Sequence, residues 1–299
     1  MKTDKYKSSK KNHQHRNYFT ESSGTVDVVC GANIEGRADI KKSEHSGKIY
    51  NFCGDDCRKR FEENPEKYSL GPILRLDNID KIFQMGQAET RVLSGMSINI
   101  WEGDFIALVG SSGSGKSTTL NMMGLLDKQT AGKIYLRGID ISLVNDEEKA
   151  LLRSETFGFV FQQYNLIPWL TAYENIILPR IFANKRVEPQ EIIDRATEVG
   201  LGDRLTHRPF EMSGGEQQRV ALWRALVNDP KIILADEPTG NLDSITGKKI
   251  LEMLVDANKK NGKTLVIVTH DHSIAERADK IITLKDGRVE ASEGAKYYV

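Results

Sequence analysis

Apolar and polar residues change rhythm along the chain, and the changes predict an α/β protein. Lys48-Ile49-Tyr50-Asn51-Phe52 suits a short strand. Residues 54–63 suit a helix, with Cys57, Arg60 and Phe61 at helical spacing, and Asn64-Pro65 ends it. Phe105-Ile106-Ala107-Leu108-Val109 is an apolar run fit for a buried strand, and residues 118–123 can continue as a helix. A second apolar strand, Lys231-Ile232-Ile233-Leu234-Ala235, ends in two carboxylates, Asp236-Glu237. Gly287, in Leu284-Lys285-Asp286-Gly287-Arg288, fits a final hairpin turn. No apolar run approaches the ~18–20 residues of a membrane helix, and no signal-peptide pattern opens the chain. The expectation is a cytoplasmic protein whose membrane role, if it has one, needs a partner subunit.

The 299 residues suffice for one large or two unequal domains. Cys30, Cys53 and Cys57 are the only cysteines, and all lie near the start. That clustering predicts three regions: a basic tail over 1–23, a small module over 24–70 and a larger domain over 71–299. Gly71-Pro72 is a natural punctuation between the last two. The 42 basic and 42 acidic side chains balance, so no polyanion, and no nucleic acid, is expected as partner. The balance is uneven along the chain. Lys2, Lys5, Lys7, Lys10, Lys11 and Arg16 face only Asp4 in residues 1–16, which reads as a solvated, disordered tail. Contact with anionic lipid is the alternative there.

Three thiols in a reducing compartment, with no evident disulfide role, suggest a site for a soft metal such as copper or zinc. Cys53 and Cys57, four apart, share one side of a helix start, and a helix N-terminus favours thiolate. His45 is the candidate fourth ligand. Small cysteines packed in a core are the bland alternative. The stretch VDVVCGANIEG…HSGKIYNFCGDDCRKRFEENPEKY resembles a YHS domain, a small module often found with heavy-metal and copper transport proteins. Val28 and Ala32 depart from its usual proline and methionine, and the second removes a thioether from the expected ligand set.

Residues 110–117 read GSSGSGKS, the spacing of a phosphate-binding loop between strand and helix. Gly110, Ser111, Ser112, Gly113, Ser114 and Gly115 would wrap N–H groups around phosphate oxygens, and the helix beginning near Lys116, Ser117 and Thr118 would point its positive end at them. Lys116 would reach the β- and γ-phosphates of ATP, and Ser117 would hold Mg²⁺. Asp236 can hold the ion's hydration shell, and Glu237 can polarise the attacking water. Met212-Ser213-Gly214-Gly215-Glu216-Gln217-Gln218-Arg219 opens a second helix on a glycine turn, a second anion site. One nucleotide does not need two such sites, but two copies arranged head to tail would use both.

In that ordered set, residues 73–290 resemble the ATP-binding cassette (ABC) family. The resemblance implies a mostly parallel central sheet, an antiparallel β subdomain and a helical subdomain around 163–228. It gives Phe83 the adenine-stacking role and Gln162 the loop that senses Mg²⁺ and the membrane partner. Ser213, Gly214, Gly215, Glu216 and Gln217 match the signature that caps the opposite subunit's γ-phosphate. Asp243 lies in the loop crossing the dimer interface, and His270 matches the switch histidine on the γ-phosphate. Singly, each has an ordinary alternative: Phe83 in a core, Gln162 on a surface loop, His270 capping a neighbour.

GFVFQQYNLIPWLTAYENI, SGGEQQRVAL and ADEPTGNLDS further resemble the MacB/LolD branch, ATPases that drive export of lipoproteins, macrolides and peptides. Residues 85–91 match that branch's hairpin insertion, and 163–180, with Pro168 and Trp169, would face a coupling helix. The implied partners are a second copy, an FtsX/MacB-like integral membrane permease and a periplasmic adaptor, with the protein peripheral on the inner membrane face. Rival readings are an ABC ATPase without a transport role, as in cell division, and a metal-sensing protein that ATP switches. Met212 stands where leucine is common, and Trp223 where alanine is.

Overall fold

The computed structural model describes residues 27–30, 34–86 and 88–290. The basic tail, with His13 and His15, and Ala32 lie outside the described residues. The chain divides into two compact units, Met1–Gly71 and Pro72–Val299.

In the first unit, β1 (Lys41–His45) and β2 (Lys48–Phe52) pair antiparallel across Ser46-Gly47. Both turn residues have positive φ, the mirror-image turn that matches strand twist. Helix α1 (Asp55–Glu63) buries Phe61 against Tyr50 and Phe52, with ring centroids 4.6 and 5.1 Å apart. Asn64 ends α1, and its side chain then accepts a hydrogen bond from the Lys67 N–H to cap α2 (Pro65–Ser69). Val29, Ile34, Phe52, Phe61 and Tyr68 form the small core.

The second unit opens with a long hairpin, β3 (Leu74–Met85) and β4 (Ala88–Ile100), turning at Gly86 within the predicted 85–91 insertion. Strands β6 (Ala131–Leu136) and β7 (Ile139–Asp140) complete an antiparallel sheet in the order β4-β3-β6-β7. The six-stranded sheet contains β5 (Phe105–Gly110), β8 (Phe157–Val160), β9 (Ile232–Asp236), β10 (Thr264–Val268), β11 (Lys280–Lys285) and β12 (Arg288–Glu290). Its order is β12-β11-β5-β10-β9-β8, parallel except for the β11–β12 hairpin at Gly287.

Side-chain alternation along β5 explains the layering. Ile106 and Leu108 join the core shared with the antiparallel sheet and α3 (Lys116–Met123). Phe105 and Ala107 join the opposite core, against Leu222 and Ala225 of α7 (Gly214–Leu226) and Leu251 and Leu254 of α8 (Ser244–Lys259). A third core lies among α5 (Ala172–Phe182), α6 (Pro189–Glu198) and α7. Trp223 belongs to it, buried with Ile176, Ile192 and Val220, and Arg195 lies over its ring at 5.5 Å. The tryptophan fills a helical core and stands clear of the chemistry. Between β7 and β8, α4 (Asp146–Thr156) is capped by Asn145. After β10, Asp271 caps the short α9 (His272–Ala275).

Candidate functional site

The predicted site residues gather at the C-terminal ends of the parallel strands, where an open α/β sheet leaves its crevice. Between β5 and α3 the chain makes the 111–115 loop. Gly110 has φ +151, and a Cβ there would stand 2.2 Å from the Leu284 carbonyl oxygen and 2.7 Å from Ser114 Oγ. Only glycine fits. Gly115 precedes α3 in the left-handed region, φ +101, and its Cβ would strike Leu93 at 2.7 Å. Lys116 Nζ donates to the Gly110 and Ser111 carbonyls at 2.9 and 2.8 Å, so the lysine arches over its own loop. Ser111, Ser112, Gly113 and Ser117 are exposed, Thr118 is half-buried and Ser114 is buried.

Asp236 ends β9 beside the start of α3. Burial pushes its carboxyl above the usual carboxylate range, against the pull of the Ser117 hydroxyl, which hydrogen-bonds it. A half-buried carboxylate paired with a hydroxyl fits a hydrated Mg²⁺. Glu237 follows at φ +44, in the left-handed region, with its N–H bonded to the Val268 carbonyl at 3.0 Å. For a non-glycine residue that backbone costs about 1–2 kcal/mol. It turns the carboxylate toward the crevice, where Oε2 lies 3.2 Å from His270 Nδ1. Gln162, two residues beyond β8, arrives from the other side. A Cβ on Gly240 would stand 3.1 Å from Gln162 Nε2 and 3.4 Å from Glu237 Oε2. Asn241 Nδ2 donates to the Gln162 carbonyl at 3.0 Å. Lys116, Ser117, Asp236, Glu237, Gln162 and His270 thus come from four adjacent strand ends.

Ser213 caps α7 through a reciprocal pair with Glu216. The Ser213 N–H and hydroxyl both donate to Glu216 Oε2 at 2.8 Å. Hydrogen bonds from the Ser213 backbone, ahead of other causes, hold the Glu216 carboxyl below its usual range. Gln217 Nε2 donates to the Met212 carbonyl. Among the described residues, no hydrogen bond or ion pair joins 213–217 to the phosphate loop. Asp243 caps α8, accepting from the Ile245 and Thr246 N–H groups. Phe83, on β3, is 38% exposed, and Lys81 Nζ lies 4.5 Å from its ring centroid.

In the first unit the three cysteines converge. Cys53 Sγ stands 3.6 Å from Cys30 Sγ and 3.7 Å from Cys57 Sγ. Sulfurs around a tetrahedral zinc, each ~2.3 Å from the ion, stand ~3.8 Å apart, so the spacing fits a metal. Two expectations need correction. His45 is not in the cluster: its ring lies edge-on to Phe61, 6.2 Å between centroids. The fourth acidic group is Asp27, fully buried, with ligand atoms of all four residues within 4.8 Å of one another. The helix start also does not favour thiolate here. Burial pushes the Cys53 thiol up to about 12, helped by Asp27 and Cys30. A hydrogen bond with Cys30, then burial, raises Cys57 well above the ordinary thiol range.

Sequence reading missed Asp27, Arg204 and Gln218. Asp27 Oδ1 accepts from the Val29 and Cys30 N–H groups, and Oδ2 from the Cys53 N–H at 2.7 Å. Its signal was an aspartate two and three residues before the N–H groups it binds, an Asx-type turn. Arg204 pairs with Glu216. Gln218 Nε2 donates to the Pro238 carbonyl, tying α7 to the segment after Glu237. Neither of these carries a local signal.

Comparisons agree with this geometry. An ABC transporter family model matches residues 93–240, and a YHS domain model matches residues 25–70. The chain is 48% identical over 227 residues to an uncharacterized ABC transporter ATP-binding protein, MJ0796, of Methanocaldococcus jannaschii, covering 74% of this chain and 97% of that protein. It is 47% identical over 221 residues to the macrolide export ATP-binding/permease protein MacB of Rhodopirellula baltica, covering 73% of this chain and 32% of that protein. The chain therefore spans about a third of that relative's length. Among solved structures, a dimeric post-hydrolysis state of the MJ0796 cassette bound to ADP and Pi superposes with TM-score 0.69 at 46% identity, covering 74% of this chain and 98% of that one.

Proposed function

This chain belongs to the ABC transporter family as an ATPase, an ATP-binding subunit of MacB/LolD type that carries a YHS domain, and from that premise we propose that it powers a separate membrane permease. The observation that carries the proposal is an apolar groove of about 680 Å³ beside the Gln162 segment. Leu126, Leu151, Phe159, Phe161 and Phe182 line it, and Phe182 is 73% exposed. Apolar surface of that kind is normally covered by a partner. Arg224, in the groove wall, donates to the Tyr164 and Asn165 carbonyls. The groove is thus bonded to the chain that follows Gln162, so a coupling helix seated there would register what happens at the nucleotide. Trp169, 72% exposed, extends the same apolar character. No helix among the described residues is long and apolar enough to cross a membrane.

Two copies would sandwich two ATP molecules. Lys116 and the first turn of α3 bind the phosphates of one copy's nucleotide, and Ser213 of the other copy closes on it. Ser117, Gln162 and Asp236 would hold Mg²⁺, which would supply charge neutralisation for the phosphates. Glu237 polarises the water, and His270 bridges Glu237 and the γ-phosphate. Binding closes the pair and hydrolysis reopens it, which moves the permease. A periplasmic adaptor would complete an exporter of this branch.

The test is affinity purification of the tagged protein from detergent-solubilised native membranes. The expected result is copurification of a multi-span protein, lost in Leu151→Glu/Phe182→Glu while ATP binding persists. Recovery of soluble partners alone would favour a non-transport role instead.

For the first unit, we propose that Cys30, Cys53 and Cys57 hold copper or zinc, linking export to metal handling. The support is the sulfur spacing above. Protein purified anaerobically should contain about one copper or zinc per chain by mass spectrometry, and Cys53→Ser/Cys57→Ser should contain none. Absence of metal in both, even after loading with Cu(I) or Zn²⁺, would leave the unit a docking element.

A further inference from the structure

A carboxylate beside the signature serine is an electrostatic problem. Glu216 Oε2 accepts the Ser213 hydroxyl at 2.8 Å. In the dimer read above, that hydroxyl meets the other copy's γ-phosphate. An uncompensated carboxylate next to a polyphosphate repels it, and it also competes with the phosphate for the hydroxyl proton. The charge beside Ser213 therefore needs an answer.

Arg204 supplies one. It lies just after α6, and its Nε donates to Glu216 Oε1 at 2.8 Å. The two carboxylate oxygens are thereby divided: Oε2 holds the serine, Oε1 holds the guanidinium. Arg204 Nη1 lies 3.4 Å from His207 Nε2, which helps fix the guanidinium plane. The side chains are 44% and 18% exposed, so the pair is open to solvent and contributes little to folding stability. Its importance lies in where it puts charge.

We propose that Arg204 is a positioning residue for ATP-driven dimerisation: by pairing with Glu216 it neutralises the carboxylate beside Ser213, so that the serine hydroxyl can turn to the opposite copy's γ-phosphate. The inference rests on the dimer reading of Ser213. The Glu216–Arg204 pair presents no net charge to the incoming phosphate.

The test is ATP-dependent dimerisation of the full chain, read by light scattering at a series of ATP concentrations, with steady-state hydrolysis alongside. Arg204→Met should raise the ATP concentration for half-maximal dimerisation on the order of tenfold, and less so at high salt. Glu216→Gln alone sets the reference level for the double variant. The double variant Arg204→Met/Glu216→Gln should return to the level of Glu216→Gln, because no bare carboxylate remains. A double variant as impaired as Arg204→Met would overturn the proposal, since loss of packing by the arginine stem predicts that result. An unimpaired Arg204→Met would overturn it as well. Ser213→Ala separates the two levels. If it dimerises normally, the signature reading itself fails. If it is impaired while Arg204→Met is not, only the role of Arg204 fails.

Discussion

Glu237→Gln is expected to bind ATP about as tightly as the parent, to hydrolyse it roughly 10²- to 10⁴-fold more slowly, and to accumulate as an ATP-bound dimer. The amide has the shape of the carboxylate and fits the same left-handed turn after β9. It cannot accept a proton from water. The His270 contact at 3.2 Å survives in form, since the amide oxygen can still accept from Nδ1. Binding uses Lys116, the 111–115 loop and α3, none of which the change touches. Single-turnover phosphate release and light scattering measure the two halves of the prediction. Normal turnover in this variant would remove Glu237 as the base.

Lys116→Ala should weaken ATP binding by at least roughly a hundredfold, the scale of deleting one partner of a close charge pair. Two losses coincide. The ammonium that pairs with the β- and γ-phosphates disappears, and so do its hydrogen bonds to the Gly110 and Ser111 carbonyls, which hold the loop in its arch. Fold integrity should be retained, because Gly110 and Gly115 are fixed by their fit against Leu284 and Leu93 rather than by the lysine. Titration calorimetry, with circular dichroism as the fold check, decides the matter. Unchanged affinity would refute the loop assignment.

What the sequence revealed about this protein follows the range of the forces involved. The phosphate loop, the strand ending in Asp236-Glu237 and the Ser213 helix cap were legible because each works through its own backbone neighbours. The strand over 48–52 and the helix over 54–63 were legible for the same reason, as short segments bounded by glycine and proline. Trp223 was opaque because its partners Ile176 and Ile192 come from other helices. Asp27 was missed as the clamp that brings Cys53 to Cys30, because it reaches across a hairpin. His45 was wrongly expected as a ligand: nearness in sequence to the cysteines concealed that Phe61 claims its ring. The thiolate expectation failed because helix position was weighed without burial and without the neighbouring acidic groups.

The strand order has a consequence for the protein's own synthesis. β5, which delivers the phosphate loop, lies between β10 and β11, and Gly110 rests on the Leu284 carbonyl. The ribosome therefore releases the loop long before either flanking strand. At the usual ~5–20 residues per second, the wait is on the order of ten seconds. Throughout it the nascent chain displays a complete ATP motif with no sheet to shape it. The Leu284 carbonyl that Gly110 rests on arrives only with the last strands, so a chain cut short before β11 carries the motif without that support.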